Sequence, residues 1–202
     1  MRWTSLLTCL GLAAALPATP ALAQSQDAAD ALVRSLSRPA PPTRSLRPPV
    51  PALDAEAEAF LRGLPTRGLS IEAREKVVEI SKTYALPQVD IDILFDFGKD
   101  TLNARALRDV ITLGRALSAE ALAGHRFVVA GHTDGVGGAA FNLDLSQRRA
   151  ETVREFLIES FDIPASRLIA VGFGFEQLKI PQDPRADENR RVELINLEVG
   201  WE

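Results

Sequence analysis

The sequence has one cysteine among 202 residues, Cys9, and it falls inside an apolar N-terminal stretch. Once that stretch is removed on export, neither a disulfide nor thiol chemistry remains. Stability must then come from an ordinary core. There are two histidines, His125 and His132, and with no cysteine to join them a zinc site is not expected. No Lys/Arg-rich tract exists, and 27 acidic residues face 23 basic ones, a formal net charge of −4. Nucleic acid and anionic membrane surfaces are therefore poor partners. Any anionic group that binds must meet a local basic site. No apolar run is long enough to span a bilayer well, and no internal repeat is visible.

What is present begins with an export signal. Arg2 supplies the positive end, residues 6–16 are apolar, and Ala21-Leu22-Ala23 is an A-x-A cleavage site before Gln24. Residues 1–23 thus read as a signal peptide. Cys9 comes too early for a lipoprotein signal, so a lipid anchor is not expected. Cleavage removes one charge, Arg2, leaving 22 basic against 27 acidic residues and a net charge of −5.

Residues 24–52 read as a proline-rich linker. Its first part is polar and Ala-rich, with room for a short helix at 28–36. Pro39, Pro41, Pro42, Pro48, Pro49 and Pro51 follow, a density that favours extended polyproline structure over helix or strand. Residues 53–86 form a short helical segment with two helices, 53–62 and 70–82, the second opened by Ser70 as N-cap. These helices either pack onto the following domain or stay mobile. Residues 24–86 are too short and too proline-rich for a β-barrel of eight or so strands.

From about residue 87 the pattern changes. Val89, Ile91, Ile93 and Phe95 alternate with Asp90, Asp92 and Asp96, the period of a half-buried strand. A helix is expected over 103–117 and an apolar strand over 127–130. A second helix over 143–160 carries Ala150, Val153, Phe156 and Leu157 at helical spacing. Strands at 167–172 and 191–198 complete the series. The expected fold is α/β, a two-layer sandwich of a four-stranded mixed sheet and helices in the order βαβαββ. It occupies residues 87–199, with one core on one face of the sheet.

The chemistry gathers around Gly131-His132-Thr133-Asp134 and Arg149, fifteen residues after Asp134. This spacing places a carboxylate at a strand end and a guanidinium in the early turns of the next helix. Two readings are open. The pair joins strand to helix as an ion pair, contributing under about 1 kcal/mol if exposed. Alternatively it grips a small zwitterion, ammonium on Asp134 and carboxylate on Arg149. Residues 135–140 fit G-x-G-x-x-A, a dinucleotide pattern. However, three polar residues precede its first glycine and the strand–helix units are too few. The glycines more simply let a loop bend over a ligand. Ser146 has no neighbouring histidine, and Asp90, Asp92 and Asp96 lie on the solvent side of a strand, so a nucleophile with its base is not found.

Several separated motifs follow one order: Ile93-Leu94-Phe95-Asp96-Phe97-Gly98-Lys99, Gly131-His132-Thr133-Asp134, Asn142, Leu145-Ser146, Arg148-Arg149-Ala150, Arg167-Leu168, Gly172-Phe173-Gly174 and Asn189-Arg190-Arg191-Val192-Glu193. Over residues 88–198 the sequence resembles the OmpA-like peptidoglycan-binding domain, shared by the C-terminal parts of OmpA, MotB and Pal proteins. The resemblance implies a non-catalytic module that binds the cell wall's stem peptide at meso-diaminopimelate and needs no cofactor or metal. By position, Asp134 takes the ammonium and Arg149 the carboxylate, aided by Thr133 and Asn142. Leu145 touches the aliphatic stem, Phe97 and Gly98 form the opposite wall, and Arg190 lies on the rim. A planar guanidinium suits this role because it pairs a carboxylate with two parallel hydrogen bonds, and helix N-termini favour anions.

Three departures stand out, one of them the segment 177–187, a variant of its own that is expected to shape the rim differently. Phe141 occupies a position where the family often has tyrosine, and Asp162 replaces a glycine expected to take a left-handed backbone. The expected setting is the periplasm, wall-associated and at or near the outer membrane, with residues 24–86 reaching an envelope protein. The competing classes are a wall-acting hydrolase and an accessory subunit of an envelope complex.

Overall fold

A computed structural model describes residues 20–37, 51–91, 93, 95 and 98–197. Most of the expected signal peptide, the proline-dense residues 38–50 and Phe97 lie outside the described residues. Helix α1 spans Pro20–Leu36, α2 Ala55–Gly63 and α3 Ile71–Thr83. Strand β1 (Gln88–Ile91), helix α4 (Ala104–Leu117), strand β2 (Phe127–Gly131), helix α5 (Ala139–Phe161) and strands β3 (Leu168–Gly172) and β4 (Val192–Asn196) follow.

Local chemistry sets the helix starts. Asp54 accepts from the Ala57 N–H at 2.8 Å, and Ser70 accepts from Ala73 N–H at 3.2 Å. Asn103 accepts from both Arg105 and Ala106 N–H at 3.0 Å. Each satisfies donors that a first helical turn leaves unpaired. At its far end α5 stops at Asp162, which takes the left-handed conformation (φ 52°) expected of it.

The sheet order is β1-β4-β2-β3. Only β2 and β3 are parallel, joined through α5, and the other pairs are antiparallel. The mixed four-stranded sheet and the βαβαββ order match the sequence expectation. Phe127, Val129, Leu168, Ala170 and Leu194 face α4 and α5, forming one core with Val110, Leu113, Val153 and Leu157. Val128, Ala130, Ile169, Val171 and Ile195 face the other way, against Leu61, Val77 and Ile80 of α2 and α3. The helical segment thus packs onto the domain and adds a third layer to the sandwich. Every residue of β2 and β3 is buried, as in strands covered on both faces.

Helix α1 also joins the domain. Ala29 and Leu36 are buried, and Leu36 and Val33 pack against the core beneath α4. Asn196 donates from Nδ2 to the Leu36 carbonyl at 2.9 Å, and Arg115 donates to Ser25 Oγ at 2.6 Å. Residues 24–36, expected within the linker, are therefore helical and docked. No helix of the described residues is long and apolar enough to cross a membrane.

Helix α5 lies close against the ends of β2 and β3. A Cβ on Gly131 would run into the Ser146 carbonyl oxygen, and one on Gly172 would sit 2.5 Å from the Gln147 backbone nitrogen. Both obstacles are backbone and cannot rotate away. Gly131→Ala is expected to destabilise the protein by about 1–3 kcal/mol, the usual cost of overpacking. Gly63→Ala, at a helical position open to space, should cost nothing or stabilise by up to about 1 kcal/mol. Urea denaturation of the two variants checks both values.

Candidate functional site

The site is built where β2 ends. Past Gly131 the chain leaves the sheet but stays anchored: His132 N–H donates to the Arg191 carbonyl (3.0 Å), Thr133 N–H to Gly174 (2.8 Å) and Gly135 N–H to Pro184 (2.7 Å). These bonds fix the segment that presents Asp134. Its Oδ1 accepts from Val136 N–H at 3.1 Å, folding the glycine loop back over the carboxylate. Oδ2 forms an ion pair with Arg190 Nη1 at 2.9 Å, and Arg190 Nη2 reaches Asp187 at 2.6 Å. Burial alone would weaken the Arg190 charge, but its hydrogen bonds to Asp134 and Asp187 outweigh burial and raise its pKa.

Helix α5 supplies the other wall. Asn142, Leu145 and Arg149 are buried, and their spacing of three and four puts them on one helix face. Asn142 donates from Nδ2 to the Val136 carbonyl at 2.9 Å, tying the glycine loop to the helix. Arg149 is only 4% exposed. Its Nε donates to the Lys99 carbonyl at 2.9 Å, and its guanidinium lies 5.0 Å from the centre of the Phe95 ring. Burial, and then the like charge of Arg190, pull its pKa down to about 10, against the opposing pull of Asp134 and Asp100. It stays charged at neutral pH, but in a setting that disfavours the charge.

The structure thus brings Asp134, Arg190, Asn142, Leu145 and Arg149 around one loop. The ion pair of Asp134 is with Arg190 rather than with Arg149. Thr133 is buried beside them, and its Oγ1 has no hydrogen-bond partner. Gly98 is exposed with φ 67°, in the turn that positions the Lys99 carbonyl against Arg149. Three contributors were not assigned a site role individually in the sequence reading: Asp187, Pro184 (both in the variant segment 177–187) and the Lys99 carbonyl. The last two act through backbone oxygens, which leave no residue-type signal.

His132 packs beneath the loop, stacked on Phe173 with ring centres 5.4 Å apart and planes 10° off parallel. Among the described residues no group of three or more His, Cys, Asp or Glu is placed to hold a metal. Its Nε2 lies 3.2 Å from Glu193 Oε2, yet without hydrogen-bond alignment, so both ring nitrogens lack a partner. Burial drives its pKa below the ordinary 6.5, outweighing the contact with Glu193. The unfolded chain therefore binds more protons than the folded one between that depressed value and 6.5. His132 contributes stability that is full above 6.5 and lost as pH falls toward the folded value. Urea denaturation from pH about 7 to about 5 should show stability falling more steeply in the native protein than in His132→Gln. Equal slopes would show that His132 is not held neutral.

The model of the OmpA family matches residues 94–191. The chain is similar to outer membrane porin F of Pseudomonas aeruginosa, 34% identical over 109 residues, covering 52% of this chain and 30% of that protein. It is also similar to outer membrane protein A of Escherichia fergusonii, 40% identical over 83 residues, covering 41% and 34% respectively. The chain thus spans about a third of the length of these relatives. Among solved structures it resembles the peptidoglycan-associated lipoprotein from Burkholderia pseudomallei, with a TM-score of 0.44, 24% identity, and coverage of 52% of this chain and 87% of that one. Residues 94–191 form an OmpA-family domain.

Proposed function

We propose that this protein is a non-catalytic peptidoglycan-binding protein of the cell envelope, anchored to the wall by gripping the diaminopimelate of stem peptides. The observation that carries this reading is the buried Arg149, held by the Lys99 carbonyl and the Phe95 ring beside the loop that presents Asp134. A ligand carboxylate against that guanidinium offsets the cost of its burial and gains a bidentate, charge-assisted contact. The ligand ammonium goes to Asp134. There it shares the carboxylate with Arg190, which neutralises and orients Asp134 when no ligand is bound. The partnerless Thr133 hydroxyl offers one more hydrogen bond, and Leu145 an apolar contact for the stem.

The setting that follows is the periplasm, wall-associated and at or near the outer membrane. The apolar faces of α1, α2 and α3 are taken up by the domain itself. An envelope partner would therefore have to meet their outward faces.

Co-sedimentation of the full protein with purified sacculi tests the site. The native chain should pellet, while Asp134→Ala and Arg149→Ala should each lose about 2–5 kcal/mol of binding, enough to leave them in the supernatant. Arg149→Lys should fail as well, since an ammonium cannot reproduce the bidentate geometry. Pelleting of all variants like the native chain would remove the assignment of Asp134 and Arg149.

A further inference from the structure

A cavity of about 230 Å³ lies on the α3 side of the sheet, between α3, the first part of β4 and the segment after β3. It is smaller than the roughly 300–1,000 Å³ of sites that take drug-sized ligands. Its inner end holds His132 and Glu193. The imidazole is 2% exposed and neither ring nitrogen has a hydrogen-bond partner. The Glu193 side chain is 14% exposed, and its closest nitrogen contacts are His132 Nε2 at 3.2 Å and the cationic Arg191 Nη2 at 3.7 Å. Buried polar groups of this kind are normally satisfied. A carboxylate beside an unpartnered imidazole calls for a hydrogen-bond donor, best a cationic one.

Arg191 does not fill that need. Its Nε is bound to Asp90 Oδ1 at 2.8 Å and its Nη1 to the Gln177 carbonyl at 3.3 Å. Lys82 also lines the cavity. It is exposed, and its Nζ lies 3.5 Å from Gln177 Oε1, at the outer limit of hydrogen bonding. Val78, Leu178, Ile195 and the Phe173 ring make the sides apolar. Asp90 is taken up by Arg191 and Lys179, which leaves Glu193 at the inner end and Lys82 at the outer as the charges facing the cavity, an arrangement that suits a ligand with one charge of each sign.

We propose that this cavity is a second ligand site, for a small zwitterionic α-amino acid, with its ammonium on Glu193 and His132 and its carboxylate at Lys82. The cavity and its lining are separate from Asp134 and Arg149, and the inference does not rest on the wall-binding reading. Since a zwitterion also suits that other pair, the test must distinguish the two places.

The full protein, labelled with ¹⁵N, is titrated separately with alanine, ethylamine and propionate. Alanine should give saturable shifts at the Lys82, Leu178 and Ile195 amides and at the His132 ring nitrogens. Ethylamine and propionate, each with half the charge pattern, should bind there at least about tenfold more weakly. The response should persist in Arg149→Ala, and it should weaken about tenfold in Lys82→Ala and Glu193→Gln. Lys82 is exposed, so its variant tests the site without burdening the fold. Shifts confined to Val136 and Asn142 would locate alanine at the other site alone and overturn the proposal. So would equal responses to the three probes, retention in Lys82→Ala, or no saturable shift at about 10 mM alanine, which would mean a cavity filled by water.

Discussion

The site depends on how closely α5 can approach the ends of β2 and β3. Gly131 and Gly172 carry no side chains, so the helix backbone at Ser146 and Gln147 rests directly on the strands. The same turn satisfies groups the strands expose where they stop. Ser146 Oγ accepts from Gly174 N–H at 2.8 Å, and Gln147 Oε1 accepts from Gly172 N–H at 2.8 Å. With its middle pinned, α5 has no freedom to rotate. Asn142, one turn before the contact, therefore meets the glycine loop, and Arg149, one turn after, meets the Lys99 carbonyl. Two glycines in two strands thus set the positions of side chains that never touch them.

That placement has an electrostatic consequence. Arg149 is buried where both its desolvation and the charge of Arg190 work against it. Asp134 is shared between a backbone N–H and Arg190. The two charges are therefore held in different ways. The carboxylate pairs with Arg190, while the guanidinium counts a carbonyl oxygen and an aromatic face among its contacts. An arrangement built for a structural ion pair alone would join Asp134 to Arg149 directly. Here the two are held by different partners.

Much of the fold was legible because local chemistry and periodicity agreed. Ser70 and Asn103 cap their helices, β2 and β3 fall where apolar β-branched residues cluster, and Asp162 takes the left-handed turn its position demands. The first turn of α5 was less legible. The helix begins at Ala139 behind Gly138, which has no side chain to cap it, so the signal became clear only at residue 143. The burial of the second sheet face was legible in principle. Phe127-Val128-Val129-Ala130 does not alternate, and a strand without alternation is one covered on both sides. The residues that cover it lie in weakly patterned helices of the N-terminal segment, so the sequence does not show where they go. Within the site, Asp134 and Arg149 stood out by residue type and spacing, and Asn142 only through the family resemblance. The Asp134–Arg190 pair joins residues 56 apart through a long irregular segment, and no local rule reaches across that distance.

The covering helices change what the domain can be. Without α2 and α3, the face carrying Val128, Ile169 and Ile195 would be open to solvent, and His132 and Glu193 would be hydrated there at little cost. With α3 in place, Val78, Ser81 and Lys82 close over them, and the same two side chains become a desolvated imidazole and a poorly paired carboxylate. Their unmet hydrogen bonds arise from the added layer rather than from the sheet. His132 is followed by Thr133 and Asp134 in the chain, and its N–H is bonded to Arg191, the neighbour of Arg190. The inner end of the cavity and the Asp134–Arg190 pair thus come from the same two backbone segments. A shift of those segments toward either side would be felt by Asp134 and Arg190, so the N-terminal helices bear on the site even though none of their side chains enters it.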